Sequence, residues 1–336
     1  MIDEQGRERY NDSFTPDNLE EIENKGYSRK TPENTKWLLK KNGINSDSNT
    51  KGIDDLIGRG LLYKPKTLSL HLTDLCNSGC IFCGEDSHNH HQDLVSTDDL
   101  IEFLKNHYTN GWTVVNIHGG EPTIRRDFFE IIEFIRTVFE TIILQTNAFK
   151  MADRDFAVRV HKIGIDIFTV GFHGHNQRLM EEITQIPGSF EKAVKGIRNI
   201  RKSKSVLRIT TVVCRQNYRF LPEICCLLIN EGIDHLNISA MQPEGSAAFH
   251  LNDLFISYKK AYPYIKDAIE LALQAGCTVT LEGFPYCAVP NFENFQVNWR
   301  KHILKVLYRD MVIEDFNQFL NLTVRTKGDK CKLCKM

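Results

Sequence analysis

The feature that most constrains the fold is a strict alternation of strand-like and helix-like segments from residue 67 onward. Residues 67–73 alternate the apolar Leu68, Leu70 and Leu72 with polar neighbours, which is the period-2 pattern of a strand. The segment that begins at Ser189 instead carries apolar residues at helical spacing. Six such pairs predict an α/β fold with a parallel sheet and right-handed crossovers. Periodicity alone leaves open whether this sheet stays flat or curls into a barrel.

The boundaries of these segments follow from periodicity and from capping residues. Predicted strands cover 67–73, 113–118, 141–146, 166–171, 206–213 and 235–240. Predicted helices cover 97–108, 152–163, 219–231 and 257–275, with two more starting near Asp127 and at Ser189. Ser96 with Asp99 is typical of a helix N-cap, and Asp127 with Glu130 predicts a capping box. Polar and glycine-rich segments follow most of the strands, so function is expected at the C-terminal edge of the sheet.

Composition excludes several classes of protein. The 336 residues contain 42 Lys and Arg against 43 Asp and Glu, so the net charge gives no support for binding nucleic acid or an anionic membrane. No apolar run approaches the ~18 residues of a membrane span, and the polar N-terminus does not resemble a signal peptide, so a cytoplasmic location is expected. We predict a polar, partly helical extension over 1–62, a core domain over 63–277 and a C-terminal region over 278–336.

Cysteine spacing indicates a metal site. The chain has ten cysteines, and a cytoplasmic location argues against disulfides. Cys76, Cys80 and Cys83 place three soft ligands on one short loop, which suits an iron–sulfur cluster that keeps one iron without a protein ligand. A zinc site would need a fourth ligand, for which the histidines at 88, 90 and 91 are nearest, and free thiols are the third alternative.

Two motifs together resemble a known family. The sequence CysAsnSerGlyCysIlePheCys at 76–83 ends the first predicted strand, with Phe82 before the third cysteine. The sequence GlyGlyGluPro at 119–122 follows the second strand. This order resembles the radical SAM enzymes, which implies a partial (β/α)6 TIM-like barrel. Residues 171–176 and 188–197 also resemble the peptide-modifying branch of that family.

The resemblance implies cofactors and partners. Cys76, Cys80 and Cys83 would hold a [4Fe-4S] cluster whose fourth iron binds S-adenosylmethionine, and reductive cleavage would give a 5′-deoxyadenosyl radical that takes hydrogen from the substrate. A flavodoxin or ferredoxin-type protein would supply the electron. The residues that the resemblance places around S-adenosylmethionine are Phe82, Gly119, Gly120, Glu121, Pro122, Thr146, Asn147, His173, Arg208 and Gln242. Glu121 would receive the methionine ammonium.

The last candidate metal ligands lie in the C-terminal region. Cys331 and Cys334 have a metal-ligand spacing, and Cys287 follows a turn. They resemble an abbreviated SPASM or twitch domain and predict a second iron–sulfur cluster, which would either keep an open iron or take Cys277 or a histidine as its fourth ligand. The chain departs from that pattern because it stops two residues after Cys334, where further cysteines would be expected. The alternatives are zinc and incidental thiols.

The function expected from this resemblance is modification of a peptide, such as a ring or crosslink in a ribosomally made natural product. The alternative enzyme is a small-molecule mutase, dehydratase or cyclase, similar to the one that rearranges GTP for molybdenum cofactor. A non-catalytic metal-binding scaffold is a third class. No catalytic residue beyond the cofactor ligands, and no substrate, is indicated by the sequence.

Overall fold

Nine strands form one sheet in the computed structural model, which describes residues 66–89, 95–108, 112–297, 303–308, 311–316, 318–319 and 331. The strands are β1 Lys66–His71, β2 Val114–His118, β3 Thr141–Thr146, β4 Ile167–Gly171, β5 Val206–Val213, β6 His235–Ala240, β7 Thr278–Glu282, β8 Ile303–Tyr308 and β9 Met311–Ile313. The α-helices are α1 Thr97–Tyr108, α2 Phe128–Val138, α3 Arg154–Ile163, α4 Gln177–Thr184, α5 Ser189–Ile200, α6 Leu221–Asn230, α7 Ser246–Phe249, α8 Leu251–Leu254 and α9 Tyr258–Gln274.

The sheet order is β7-β6-β5-β4-β3-β2-β1-β8-β9. All neighbouring strands are parallel except β8 and β9, which are antiparallel. The sheet curls, because inward-facing side chains from strands as far apart in this order as β1 and β7 line one interior cavity. The prediction of an α/β partial barrel is therefore confirmed.

Alternation along the strands separates the two faces of the sheet. On β5, Leu207 and Ile209 are fully buried, whereas the intervening Arg208 and Thr210 line the interior cavity. The apolar stripe of α5, including Ala193 and Ile197, is also fully buried in the core. The outer face of the sheet thus packs on the helices, and the inner face is free to carry polar chemistry. No helix in the described ranges is long and apolar enough to cross a bilayer.

The two predicted caps have different outcomes. Ser96 Oγ accepts a hydrogen bond from the Asp99 backbone N–H at 3.1 Å, and its hydroxyl donates to the Asp99 carboxylate at 2.7 Å, as predicted for the start of α1. The capping box at Asp127 is wrong. The Asp127 carboxylate makes no cap hydrogen bond because it pairs with the Arg125 guanidinium at 2.7 Å and accepts a hydrogen bond from the Thr97 hydroxyl.

Two parts of the fold go beyond the sequence prediction. Helix α4 lies in the segment before Ser189 that periodicity leaves as a loop, and Asn176 caps it by accepting from the Leu179 N–H at 2.9 Å. The boundary predicted at residue 278 falls on the first residue of β7, and strands β7, β8 and β9 continue the barrel sheet past it. The extension predicted over 1–62 lies outside the described residues.

Candidate active site

The barrel interior is a cavity of about 2180 Å³ at which most of the predicted site residues meet. Those that line it are Cys76, Cys80, Phe82, Cys83, Gly119, Gly120, Glu121, Thr146, Asn147, His173, Arg208 and Gln242. Pro122 is buried in the 3₁₀ turn that follows the glycines. We call this cavity the chamber. The loops that the sequence places at the C-terminal edge of the sheet therefore do converge.

The loop that carries Cys76, Cys80 and Cys83 is braced by α4. The Gly79 N–H donates to the Thr184 carbonyl at 2.9 Å, and the Ile81 N–H donates to the Ile183 carbonyl at 3.0 Å. Within the loop, the Cys83 N–H donates to the Cys80 carbonyl at 3.0 Å. These bonds fix the backbone between the cysteines, so the thiols are presented in one arrangement.

The raised pKa values of the Cys76 and Cys80 thiols indicate that a bound cation is needed to keep them as thiolates. Burial, followed by the nearby Glu121 and the other two cysteines, raises the pKa of Cys76 to about 12, and burial together with the nearby Cys83 raises the pKa of Cys80 to about 11. Ser78 opposes the rise at Cys80, because its hydroxyl lies 3.2 Å from the sulfur. Three thiolates this close are costly without a positive partner, and metal coordination deprotonates thiols outright.

The number of cysteine ligands favours a cluster over a structural zinc ion. Cys76, Cys80 and Cys83 share one wall of the chamber. A structural zinc site takes four protein ligands, whereas three thiolates can hold an iron–sulfur cluster that keeps one iron without a protein ligand.

The glycines of the second motif pack directly on the cysteine loop. The Gly120 N–H donates to the Thr73 carbonyl and the Glu121 N–H to the Leu75 carbonyl, both at 2.7 Å. A Cβ atom at Gly120 would lie 2.1 Å from the Leu75 oxygen, and Gly119 has a φ of +139°. Only glycine tolerates this conformation and this close approach. The two motifs, separated in sequence, therefore form one backbone unit.

Glu121 is buried beneath this unit and accepts several hydrogen bonds. Its Oε1 accepts from the Thr146 hydroxyl at 2.6 Å and from the backbone N–H and hydroxyl of Thr123, and its Oε2 accepts from the Asn147 N–H at 2.6 Å. Burial raises the pKa of Glu121, and these hydrogen bonds oppose the rise. The carboxylate is thereby held in place at the chamber wall, where Oε2 accepts one hydrogen bond from the residues that the structure describes.

Asn147 ties the end of β3 to the cysteine loop. Its side-chain amide donates to Asn77 Oδ1 at 2.7 Å, and its own Oδ1 accepts from the Phe149 N–H at 3.0 Å. Thr146 likewise accepts from the Ala148 N–H at 3.0 Å. Both residues thus organise the turn after β3 while they line the chamber, and a contact of either with S-adenosylmethionine stays a prediction.

His173 and Phe82 form a second contact between the cysteine loop and the barrel. Their rings meet edge to face, with centroids 4.8 Å apart. The Val212 N–H donates to His173 Nδ1 at 3.3 Å, which leaves the proton on Nε2. Burial lowers the pKa of His173 to about 3, so the ring is neutral near pH 7. A neutral Nε2–H at the chamber wall can donate to a ligand.

Arg208 and Gln242 occupy different depths of the chamber. Arg208 is the third residue of β5, and its Nε donates to His235 Nδ1 at 3.0 Å, whereas Gln242 is exposed just after β6. Arg208 points inward, as a role in cofactor or substrate binding requires. It lies toward the N-terminal end of its strand, whereas the cysteine loop follows the C-terminal end of β1.

The second cysteine group is not assembled in the described residues. Cys287 is exposed in the turn Tyr286–Ala288 after β7, Cys331 is exposed, and Cys334 lies outside the described residues. Cys277 directly precedes β7, at the opposite end of that strand from Cys287, and is buried with its Sγ 3.5 Å from the Ile233 carbonyl. A second cluster therefore stays a prediction, and Cys277 is badly placed to complete it.

Sequence reasoning missed a group of polar side chains beside the cysteine loop. His71 and His118 end β1 and β2 and are partners in register, while Glu85 and Tyr308 approach from the cysteine loop and β8. Burial and the neighbouring His71 lower the pKa of His118 to about 3. Their position in the sequence could have indicated the two histidines, because each directly precedes the loop that carries one of the two motifs.

Comparison with known proteins identifies the domain. Residues 70–219 match the family model described as "Radical SAM superfamily". A "Probable GTP 3′,8-cyclase" from Sulfurisphaera tokodaii is 27% identical over 221 residues, which are 65% of this chain and 68% of that protein. One of the same name from Saccharolobus islandicus is 28% identical over 196 residues, 57% of this chain and 60% of its own length.

Solved structures resemble the whole barrel at low identity. Streptococcus suis SuiB, in the structure titled as bound to S-adenosylmethionine, has a TM-score of 0.63 at 16% identity and covers 94% of this chain and 83% of its own. SuiB bound to the precursor peptide SuiA has a TM-score of 0.61 at 17% identity and covers 85% and 69%. These likenesses concern the fold. With the matched family model over residues 70–219, the braced cysteine loop and the glycine motif, this part of the chain is a radical SAM domain, and that family uses a [4Fe-4S] cluster and S-adenosylmethionine.

Proposed function

We propose that this enzyme modifies a peptide. When bound, the cluster and S-adenosylmethionine supply a radical that removes a hydrogen atom from the substrate. In this proposal Cys76, Cys80 and Cys83 hold the cluster, and Glu121 receives the methionine ammonium. The wall of the chamber then selects what reaches the radical.

The observation that carries the proposal is the charge of the chamber wall. Among the described residues that line it there are five glutamates, one arginine and no lysine. The arginine is Arg208, which is hydrogen bonded to His235. A nucleoside triphosphate carries several negative charges and is normally met by lysine, arginine or a metal ion. This wall instead suits a neutral or basic substrate.

Size and surface chemistry support the same class of substrate. The chamber volume of about 2180 Å³ exceeds the roughly 300–1000 Å³ of ordinary small-molecule pockets. Exposed apolar side chains also lie in the segments that follow β5, β6 and β7, at the edge of the sheet where the motif loops converge. They are Phe220, Phe249, Leu251, Phe255 and Tyr286. Aromatic residues of this kind are common where proteins bind peptides.

A nucleotide cyclase is the second candidate, favoured by the names of the relatives from Sulfurisphaera and Saccharolobus. It requires an anionic substrate at a wall with a surplus of carboxylates. The matched segment spans only 60 to 68% of those relatives. The remainder of this chain does not align with them, so their similarity does not determine its substrate.

The two candidates are separated by substrate-dependent formation of 5′-deoxyadenosine. The reconstituted, reduced enzyme is incubated with peptides encoded beside the gene, in parallel with GTP, and deuterated substrates report the hydrogen that is taken. We expect a peptide to raise 5′-deoxyadenosine formation above the substrate-free level and to transfer deuterium. Stimulation and deuterium transfer by GTP alone would contradict the proposal. The variant without Cys76, Cys80 and Cys83 serves as the inactive control.

The proposal includes a reducing, cytoplasmic setting and a flavodoxin or ferredoxin-type donor. Every cysteine in the described part of the chain is a free thiol, and free thiols persist in reducing compartments. Reduction by a purified flavodoxin system should support turnover as chemical reductant does. Activity with chemical reductant alone would argue against that donor class.

A further inference from the structure

A compact cluster of nitrogen and oxygen donors lies beside the cysteine loop and holds neither the iron–sulfur cluster nor S-adenosylmethionine in the function proposed above. His71 ends β1, His118 ends β2, and Glu85 follows Cys83 by two residues. One ligand atom from each lies within 4.8 Å of the others. His118 and Glu85 line the chamber, whereas His71 is 2% exposed behind them.

The hydrogen bonds of His71 decide which of its nitrogens is free. Its Nε2 lies 2.9 Å from Asp74 Oδ1, and a carboxylate only accepts hydrogen bonds, so Nε2 carries the proton. In the neutral form of this imidazole the opposite nitrogen, Nδ1, presents a lone pair. This atom is buried and has no hydrogen-bond partner among the residues that the structure describes, although unpaired buried polar atoms are rare and costly.

A carboxylate oxygen, which is also an acceptor, lies opposite this lone pair. Glu85 Oε2 lies 3.7 Å from His71 Nδ1, which is too far for a hydrogen bond. The same carboxylate oxygen accepts a hydrogen bond from the Tyr308 hydroxyl at 2.8 Å. An imidazole lone pair and a carboxylate oxygen thus face each other without a donor between them. A cation in this gap would satisfy both.

The supporting contacts are those that orient ligands around a metal. Asp74 fixes the tautomer of His71, as carboxylates commonly do for metal-binding histidines, and Tyr308 orients Glu85. The His118 ring meets His71 edge to face with centroids 5.7 Å apart. Two imidazoles and one carboxylate are a donor set suited to zinc or to ferrous iron.

We propose that His71, His118 and Glu85 bind one divalent transition-metal ion at the chamber wall, separate from the iron–sulfur cluster. Three protein ligands leave at least one coordination position open, as in catalytic rather than structural sites. Because His118 and Glu85 line the chamber, that position faces the space available to substrate. The ion would hold an uncharged substrate group that donates an electron pair, such as a peptide carbonyl.

The test uses the full-length chain with Cys76, Cys80 and Cys83 replaced by alanine, so that no cluster iron interferes. Zn²⁺ alone is titrated in competition with a chromogenic chelator, and Co²⁺ is used as the spectroscopic probe. We expect one high-affinity Zn²⁺ per chain. The Co²⁺ complex should show visible d–d bands without thiolate charge transfer, which separates this site from Cys287, Cys331 and Cys334.

Further substitutions in that background locate the site. Glu85→Gln and His118→Gln should each weaken Zn²⁺ binding at least about tenfold, and Asp74→Asn should weaken it by about 10- to 100-fold. The matched control is Glu244→Gln, which alters another chamber glutamate outside the cluster and should leave affinity unchanged. Absence of stoichiometric binding, a thiolate-type Co²⁺ spectrum, or full affinity in Glu85→Gln would overturn the proposal. Glu85 is 31% exposed, so its variant decides the matter even if His118→Gln misfolds.

Discussion

The two cysteine groups of this protein differ in what surrounds them. Cys76, Cys80 and Cys83 lie on a loop that α4 braces on one side and the glycine motif on the other, through four backbone hydrogen bonds of 2.7 to 3.0 Å. Cys287 is exposed in a three-residue turn, and Cys331 is exposed near the end of the chain. Both groups have the cysteine spacing of a metal site. At the first group the surrounding backbone holds the cysteines in place, whereas at the second group the described residues show no such support.

Removal of the first group should have the largest effect. The variant with alanine at Cys76, Cys80 and Cys83 loses every thiolate anchor of the cluster, so visible cluster absorbance and all cleavage of S-adenosylmethionine should disappear. Circular dichroism should show a folded barrel, because the three thiols line the chamber and lie outside the main apolar core. Residual 5′-deoxyadenosine under reducing conditions would refute the assignment.

The same variant measures the second group directly. If Cys287, Cys331 and Cys334 hold a four-iron cluster, the variant should retain roughly half of the wild-type iron and acid-labile sulfide per chain. Sulfide is the decisive quantity, because a nitrogen and oxygen site binds no sulfide. Further replacement of Cys287 by alanine should then remove the remaining sulfide. If no sulfide remains after anaerobic reconstitution, the C-terminal cysteines hold no cluster.

Gly120→Ala tests whether the glycine motif is part of the scaffold of the first group. The added Cβ would lie 2.1 Å from the Leu75 oxygen, so the hydrogen-bonded unit must open. We expect a loss of about 2 kcal/mol or more in the free energy of unfolding, together with reduced cluster content. Gly84→Ala is the control, since its Cβ would meet nothing closer than 4.0 Å. Equal unfolding midpoints in urea would contradict the prediction.

Glu121→Gln tests whether the negative charge of the Glu121 carboxylate contributes to binding of S-adenosylmethionine. The substitution keeps the shape of the side chain but removes the negative charge, so binding of S-adenosylmethionine should weaken by about 1–3 kcal/mol. Calorimetric titration of the reconstituted enzyme measures this change, with Glu244→Gln as a control at the chamber wall. An unchanged dissociation constant would show that Glu121 only organises Thr146 and Asn147.

His173 should make a smaller, pH-dependent contribution. Its pKa is lowered to about 3 in the folded protein, so between pH 6.5 and 3 the unfolded chain binds a proton that the folded chain does not. Stability is therefore lost as pH falls, by up to about 2 kcal/mol between pH 7 and 5. His173→Gln should reduce this loss, whereas substitution of the exposed His250 should not. Parallel pH dependences of urea unfolding for wild type and His173→Gln would contradict the assignment.

The sequence by itself determined the elements that depend on local patterns. Alternating apolar residues predict β3, β5 and β6 with the bounds that the structure has, because each strand packs one face on the helices. Two short motifs point to the radical SAM domain over residues 70–219, because binding of the cluster and of S-adenosylmethionine requires those residue types at that spacing. Local patterns also led to one error, since Asp127 has cap-like spacing but its carboxylate is taken by Arg125.

The tertiary structure alone decided how distant segments meet. No periodicity predicts that α4 will brace the cysteine loop, or that β8 will pair with β1 and bring Tyr308 to Glu85. The approach of His71 to His118 depends on the parallel register of β1 and β2. Such contacts arise from the curvature of the whole sheet and from the pairing of its strands. Both depend on the free energy of the complete core, so they cannot be predicted from a window of neighbouring residues.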